Sequence, residues 1–328
     1  MVNKDFQHQS VLVEESIEAL SLRKGDIVVD CTAGGGGHAE KIWERIAPNG
    51  LLVCIDRDPT AIEYLQTRFS SLIEEKKVVV IKNRFSQLET ISKMLNISGR
   101  VGAILADLGV SSVQLDQGER GFSFLKDAPL DMRMDPSSHA QSAADVLASL
   151  DEKELAAIFF KLGEETQARQ IARAIVRERE KNPIKTTQQL VNIVTAVKGV
   201  QKKKKHPATL VFQALRIFVN EELEELQALL THSFSVLKPH GRLAIISFQS
   251  LEDRIVKTFF KEKSDKLSNN MNLKYLPVRE DDIILRAEGR IIKPFPLLPE
   301  NEEIISNKRS RSAKLRVIEK LGTNEPKT

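Results

Sequence analysis

Cysteine is scarce: the chain of 328 residues has two, Cys31 and Cys54, and neither sits in a CxxC pair. That excludes a disulfide framework and a cysteine zinc site, and it suits a reducing cytoplasm. No metal ligand set stands out. The opening MVNKDFQHQS lacks an apolar run, so no signal peptide is expected. No stretch approaches the length of a membrane span, and no internal repeat is present. A strong charge bias is missing too. The net charge of +4 is compatible with an RNA partner without demanding one. What remains is a globular composition, 41% apolar and 29% charged, in a chain long enough for two domains with a sizeable core.

Short β-branched runs alternate with helical stretches. IVVDC at 27–31, LLVCID at 51–56, VVVI at 78–81, VGAILAD at 101–107 and GRLAIISF at 241–248 each read as a strand. A helix over 38–47, closed by Pro48-Asn49-Gly50, fits between the first two, and another begins near Pro59. Strand, helix, strand at this length is a βαβ unit, so the sequence predicts an α/β fold with a doubly wound, mostly parallel, Rossmann-like sheet. The stretch between the fourth and fifth strands is far too long for one crossover. Much of it has helical periodicity: 151–162, the face Ala168, Ile171, Ala172, Ile175 and Val176, and 186–197. A single helix over 208–230, with Phe212, Leu215, Val219, Leu223, Leu226 and Leu230 in one stripe, is expected to return the chain to the sheet. The expected domains are 1–115 with 208–328, and an inserted all-helical domain at 116–207.

The first strand runs into DCTAGGGGH, Asp30 to His38, which opens a helix. Glycines let the backbone turn tightly and approach a ligand closely, but such a loop alone is a weak signal, and a plain tight turn is the bland alternative. Asp56 closes the second strand, where an acid can accept hydrogen bonds from both ribose hydroxyls. Its bland alternative is a cap for the helix near Pro59. A dinucleotide enzyme would use the same device. Two features favour S-adenosylmethionine instead: the AGGGGH loop lacks GxGxxG phasing, and Asp30 suits a cationic ligand better than a phosphate.

Asp107 ends the fourth strand in DLGVSS, without the prolines and aromatic of the common DNA amino-methyltransferases. An acid there can hold the N–H of a delocalised amine, draw its lone pair out of the ring plane and take the proton lost on methylation. Ring-carbon methylation would need a cysteine nucleophile, and both cysteines read as core. Two rivals stay open at this point: an RNA-binding protein without catalysis, and a nicotinamide-dependent oxidoreductase.

Together the motifs resemble the RsmH (MraW) family of 16S rRNA cytosine-N4 methyltransferases along nearly the whole chain. They are HQSVLVEE at 8–15, DCTAGGGGHA at 30–39, DRDPTA at 56–61, DLGVSSVQLD at 107–116, RGFSF at 120–124 and LDMRMD at 130–135. They continue with GEE at 163–165, HPATLVFQALRIFVNEEL at 206–223, SFQSLEDRIVK at 247–257 and RSRSAKLR at 309–316. The resemblance implies a Rossmann-like methyltransferase core with an inserted helical domain. It implies S-adenosyl-L-methionine held by Gly36, Gly37, His38, Asp56, Phe85, Asp107 and Gln114. It also implies 16S rRNA of the small ribosomal subunit as substrate, methylated near the P site in the cytoplasm. A homodimer is left open. The chain departs from the family pattern at Gln249, where His is usual, at Leu210 for Arg, and at Ala33 for an aromatic. Gln249 can hydrogen-bond but cannot shuttle a proton at neutral pH.

Asp131 and Arg133 alternate with Leu130, Met132 and Met134, which suggests a strand-like segment turning a polar face to substrate. Arg169, Arg173 and Arg177 recur every four residues on one helix ridge, with Glu165 placed to pair with Arg169. Lys202–Lys205 and NKRSRSAKLR at 307–316 read either as solvated charge or as phosphate contacts. Phe122 and Phe124 are either core or a stacking platform for an unpaired base, with one of them expected in the core.

Overall fold

The computed structural model describes residues 10–199, 206–264 and 287–322. Their contacts form two units. One holds the residues up to Gly109 and those from Glu224 on; the other is Val110–Leu223.

The first unit is built on seven strands: β1 (Ile27–Asp30), β2 (Leu51–Asp56), β3 (Val78–Lys82), β4 (Val101–Asp107), β5 (Leu237–Ser247), β6 (Gly289–Leu297) and β7 (Lys314–Lys320). They lie in the order β3-β2-β1-β4-β5-β7-β6. The first five are parallel, and β7 runs antiparallel to both β5 and β6. The five expected strands are therefore present, and β6 and β7 are additions. From β1 the chain winds to β2 and β3 on one side and to β4 and β5 on the other. The crevice at such a reversal opens at the carboxyl ends of β1 and β4. Asp30 and Asp107 are the last residues of those two strands.

Side chains alternate across the sheet, and both faces are covered. Helices α1 (Val13–Leu20), α2 (Gly37–Ile46) and α3 (Pro59–Arg68) share a core with Val28, Cys54 and Leu105. After the short α4 (Ser70–Glu74), α5 (Leu88–Met94) packs with Val29, Ile55 and Ile104 on the opposite face. Burial of strand residues on both faces explains why the strands read as continuous apolar runs.

The second unit is helical: α6 (Ser112–Asp116), α7 (Ala143–Ser149), α8 (Glu152–Gly163), α9 (Ala168–Arg179), α10 (Thr187–Lys198) and α11 (Thr209–Asn220). Its core gathers Leu147, Phe159, Ile171, Ile175, Leu190 and Leu215. Capping boxes start α7, α8 and α10, with Ser142, Asp151 and Thr186 at the caps.

The expected single helix over 208–230 is two. Glu221 adopts φ 53 and separates α11 from α12 (Glu222–Val236). The break is tertiary in origin. Buried Asn220 turns its side chain onto the backbone of Met132 and Met134, at 2.7 and 2.8 Å. Arg216 holds Glu222 by two bonds of 2.7 and 2.8 Å. So α11 packs with the helical core, and α12 joins the sheet. Beyond β5, α13 (Ser250–Ser264) and α14 (Asn301–Ser306) complete the first unit.

Among the described residues no helix is long and apolar enough to cross a membrane, and no three His, Cys, Asp or Glu side chains are grouped to hold a metal ion.

Candidate active site

The loop after β1 is stretched over three strand ends. Cys31 N–H donates to Leu105 O at 2.8 Å and Ala33 N–H to Ile55 O at 3.1 Å. Gly34 (φ 46) and Gly36 (φ 76) take left-handed conformations, and Gly36 caps α2. At Gly37 an added Cβ would stand 2.3 Å from Ser10 Oγ, so this bend has no room for a side chain.

Three carboxylates ring the bend. Asp56 accepts the N–H of Gly34 at 2.8 Å and of Asp58 at 2.9 Å. The cap of α3 is Asp58, bonded to Thr60 N–H at 3.0 Å, so Asp56 is not spent on that duty. Its two oxygens keep further lone pairs for a ligand. Burial pushes Asp56 up to about 6 against the Asp58 and Gly34 bonds. Asp30 is 1% exposed; one oxygen accepts Thr32 N–H at 3.1 Å, and the other is buried with no partner. Burial raises its pKa to about 7 against the Thr32 bond, with the Asp56 charge adding. Asp107 is tied in through its backbone N–H, which donates to Thr32 Oγ1 at 2.7 Å. Its Oδ1 is buried without a partner. Burial, then the charges of Asp30, Glu252 and Glu303, hold its carboxyl well above the usual range.

Among the described residues no Lys, Arg or His pairs with Asp30, Asp56 or Asp107. Uncompensated buried carboxylates are costly, and the crevice is poised to gain a cation that carries N–H donors.

Two acids that the sequence reading did not single out deepen this field. Glu252 accepts the N–H groups of Phe248 and Gln249 at the start of α13, at 3.0 and 3.2 Å. Glu303, from α14, accepts Leu12 N–H at 2.9 Å and buries its other oxygen unpaired. Both are acids in the first turn of a helix, Glu252 in α13 and Glu303 in α14. Gln249 Oε1 is likewise buried without a partner.

Phe85 begins a short turn after β3, packed against the sheet core. Every polar group of its neighbour Ser86 is bonded to α12. Glu225 receives the N–H and Oγ at 3.2 and 3.0 Å, and His232 Nδ1 lies 3.2 Å from the carbonyl. His38 is 4% exposed, with Nε2 3.0 Å from Val11 O, so its ring anchors the segment before α1. The cysteines are buried and burial pushes both thiols up, which leaves no thiolate for ring-carbon attack.

The remaining candidates belong to the helical unit. Gln114 forms a capping box with Ser111 at the start of α6, its Oε1 accepting Ser111 N–H at 3.0 Å. Asp131 and Arg133 bind each other through two bonds of 2.9 and 2.6 Å. Arg133 also reaches Ser138 O at 3.3 Å and Ala140 O at 3.4 Å. Burial pushes the Asp131 carboxyl up, and the Arg133 bonds override it and hold it below the usual range. Burial alternates from Leu130 to Met134 as expected, yet no strand forms, and Met132 takes φ 63.

Glu165 does not pair with Arg169. It is buried against Lys198 Nζ at 2.5 Å, and that ammonium also donates to Pro207 O. Phe122 is core, and Phe124 stacks on His206 at 4.6 Å. In the basic segment at 307–316, Arg316 is 4% exposed and joins Lys314 on Asp253, so these two cations hold α13 to β7. Lys202–Lys205 lie outside the described residues.

The chain matches the model of the MraW methylase family over residues 5–321. It is 45% identical over 318 residues to the ribosomal RNA small subunit methyltransferase H of Alteromonas mediterranea, covering 97% of this chain and 98% of that one. It is 41% identical over 324 residues to the protein of the same name from Shewanella woodyi, covering 98% and 99%. The Shewanella amazonensis protein of that name is 42% identical over 324 residues, with the same coverage.

Proposed function

This chain belongs to the MraW methylase family, and from that premise we propose that it methylates the exocyclic N4 amino group of a cytosine in 16S rRNA, near the P site of the small ribosomal subunit. The donor is S-adenosyl-L-methionine. In the same reading the setting is the cytoplasm, and the helical stretch at 116–207 serves to recognise substrate.

The observation that carries the reading is the set of acids at the ends of β1, β2 and β4, which no cation among the described residues pairs. The residues fit the donor. The orphaned oxygens of Asp30 and Asp107 suit a sulfonium and an ammonium. When bound, S-adenosylmethionine supplies an electrophilic methyl on a positively charged sulfur. Asp30 would hold the ammonium, Asp56 the ribose hydroxyls, and Phe85 the adenine face.

Asp107 does the work at the acceptor. Burial, and after it the Asp30 charge, hold its carboxyl well above the usual range. A bound cation reverses that balance and leaves a carboxylate. Asp107 then accepts an amine N–H, steers the nitrogen lone pair out of the ring plane and receives the proton released on transfer. The target base must leave its stack to reach this depth.

The test is methylation of immature small subunits with labelled donor, followed by nucleoside analysis. N4-methylcytosine is expected from the wild type. Asp107→Asn, assayed at saturating donor, should lose turnover by 10²-fold or more, on the order expected for general base catalysis. Full turnover of Asp107→Asn at saturating donor would remove the assigned role.

A further inference from the structure

Helix α9 turns one face to its core and another to solvent. Ile171, Ala172 and Ile175 are buried, whereas Arg169, Arg173 and Arg177 are exposed one turn apart, and Lys181 follows at the next step past the helix end. Four-residue steps along a helix put these cations in a row about 6 Å apart. Arg173 meets Glu152 at 3.4 Å and Lys181 meets Glu178 at 3.1 Å, both as exposed pairs that a phosphate can displace. Among the described residues Arg169 and Arg177 have no ion-pair or hydrogen-bond partner at all. A folding role is plain for Arg179 on the same helix, which caps α7 by donating to Leu147 O and Leu150 O at 2.5 and 2.6 Å. The ridge has no such role.

Beside the ridge, α9 and α10 leave an open groove of about 650 Å³. Ile184, Ile193 and Ala196 supply apolar walls, Asn182, Gln189 and Asn192 amides, and Arg177 and Glu178 charged groups, with Glu178 held by Lys181. Its size lies within the range of small-molecule sites. Arg177 lines the groove and also belongs to the row of cations.

We propose that this face of the helical unit docks an unpaired stretch of the substrate RNA, with phosphates on Arg169 and Arg177 and one base in the groove. The inference rests on the reading that the chain acts on ribosomal RNA. A row of guanidinium groups suits a continuous phosphate chain better than an isolated anion. A groove with isoleucine walls and amide and guanidinium edges suits a base turned out of its stack. An acidic protein surface would use the row but would not need the slot.

The experiment is titration of naked 16S rRNA with each variant from about 50 to about 300 mM salt, where single-strand contacts contribute about 0.7 each to the log–log slope. R169A/R177A should therefore lower the slope by about 1.4. R169K/R177K should keep it, because the number of charges is unchanged. Ala196→Trp, which fills the groove, should weaken binding about tenfold at unchanged slope, the effect of losing one buried contact. Binding of S-adenosylhomocysteine at wild-type strength by all three shows that the sheet unit is intact. A wild-type slope in R169A/R177A overturns the proposal. So does unchanged binding to naked rRNA with binding to small subunits lost, which would assign this face to a ribosomal protein. If the wild type methylates rRNA and R169A/R177A keeps the wild-type slope, only this inference falls. If the wild type neither binds nor methylates rRNA, the functional reading falls with it.

Discussion

Donor binding should release protons and tighten steeply as pH rises from 5 to 7. Without the donor Asp30 titrates at about 7 and Asp56 at about 6, both raised by burial from the ordinary 3.8. A bound sulfonium and ammonium favour both carboxylates in the ionised form. At pH 5 Asp30 is ionised about 1% of the time and at pH 7 about half, so its share of the affinity rises about 50-fold. Asp56 goes from about a tenth to about nine tenths ionised and adds a factor of about 10. At pH 6 the two together release about 1.4 protons per donor bound, and Asp107 can only add to this. The donor's own amino group titrates near 8 and stays charged throughout. Calorimetry at pH 6 in two buffers of different ionisation enthalpy reads the protons directly, and a pH series reads the affinity. Asp30→Asn should flatten the profile to the tenfold that belongs to Asp56. Wild-type affinity that is constant from pH 5 to 7, with no proton release, would refute the reasoning.

The same shifts set the stability of the empty protein. The folded pKa of Asp30 lies above its unfolded value, so the native state binds the extra proton. That stability is fully present below about pH 4 and is lost as pH rises through about 7, a change of about 4 kcal/mol for Asp30 at about 1.4 kcal/mol per unit.

Two substitutions test the packing around the site and in the helical unit. Gly37→Ala should cost about 1–3 kcal/mol in denaturant unfolding, because its Cβ meets Ser10 Oγ at 2.3 Å and Cβ at 3.1 Å, and adding Ser10→Gly should restore most of it; a Gly37→Ala protein as stable as the wild type would deny the close approach. Glu165→Ala leaves the Lys198 ammonium buried and unpaired and should cost about 3–5 kcal/mol, whereas a loss under about 1 kcal/mol would mean that water reaches that pair.

What the sequence made legible was local in origin. The five parallel strands announce themselves as β-branched runs because they are buried on both faces, and their terminal acids mark where the crevice opens. Strand β6 was hidden by Pro294 and Pro296, which an edge strand tolerates. Strand β7 was hidden by its charges. Arg316 and Lys314 advertise solvent or phosphate, yet they are held by Asp253, about 60 residues earlier in the chain, and no periodicity reports that partner. The break at Glu221 has no glycine or proline to signal it. It exists because Asn220 satisfies the backbone of Met132 and Met134, 88 and 86 residues away. Glu165 shows the same competition within one residue. Helical spacing offers it Arg169 on the surface, but Lys198 offers a buried bond that is screened less by solvent. The site divides along this line. The placement of Gly36 and Gly37 at the start of α2, and of Asp56 and Asp107 at strand ends, was legible because backbone shape and strand ends dictate it. The clamp of Glu225 and His232 on Ser86 was not, because it joins residues 139 and 146 positions apart. The position of Phe85 is therefore fixed by a helix that its own neighbourhood in the sequence never mentions. A substitution in α12, far from any motif, should move the aromatic ring before it moves any strand-end acid, because each acid is fixed by its own strand and only the turn at Phe85 depends on that helix.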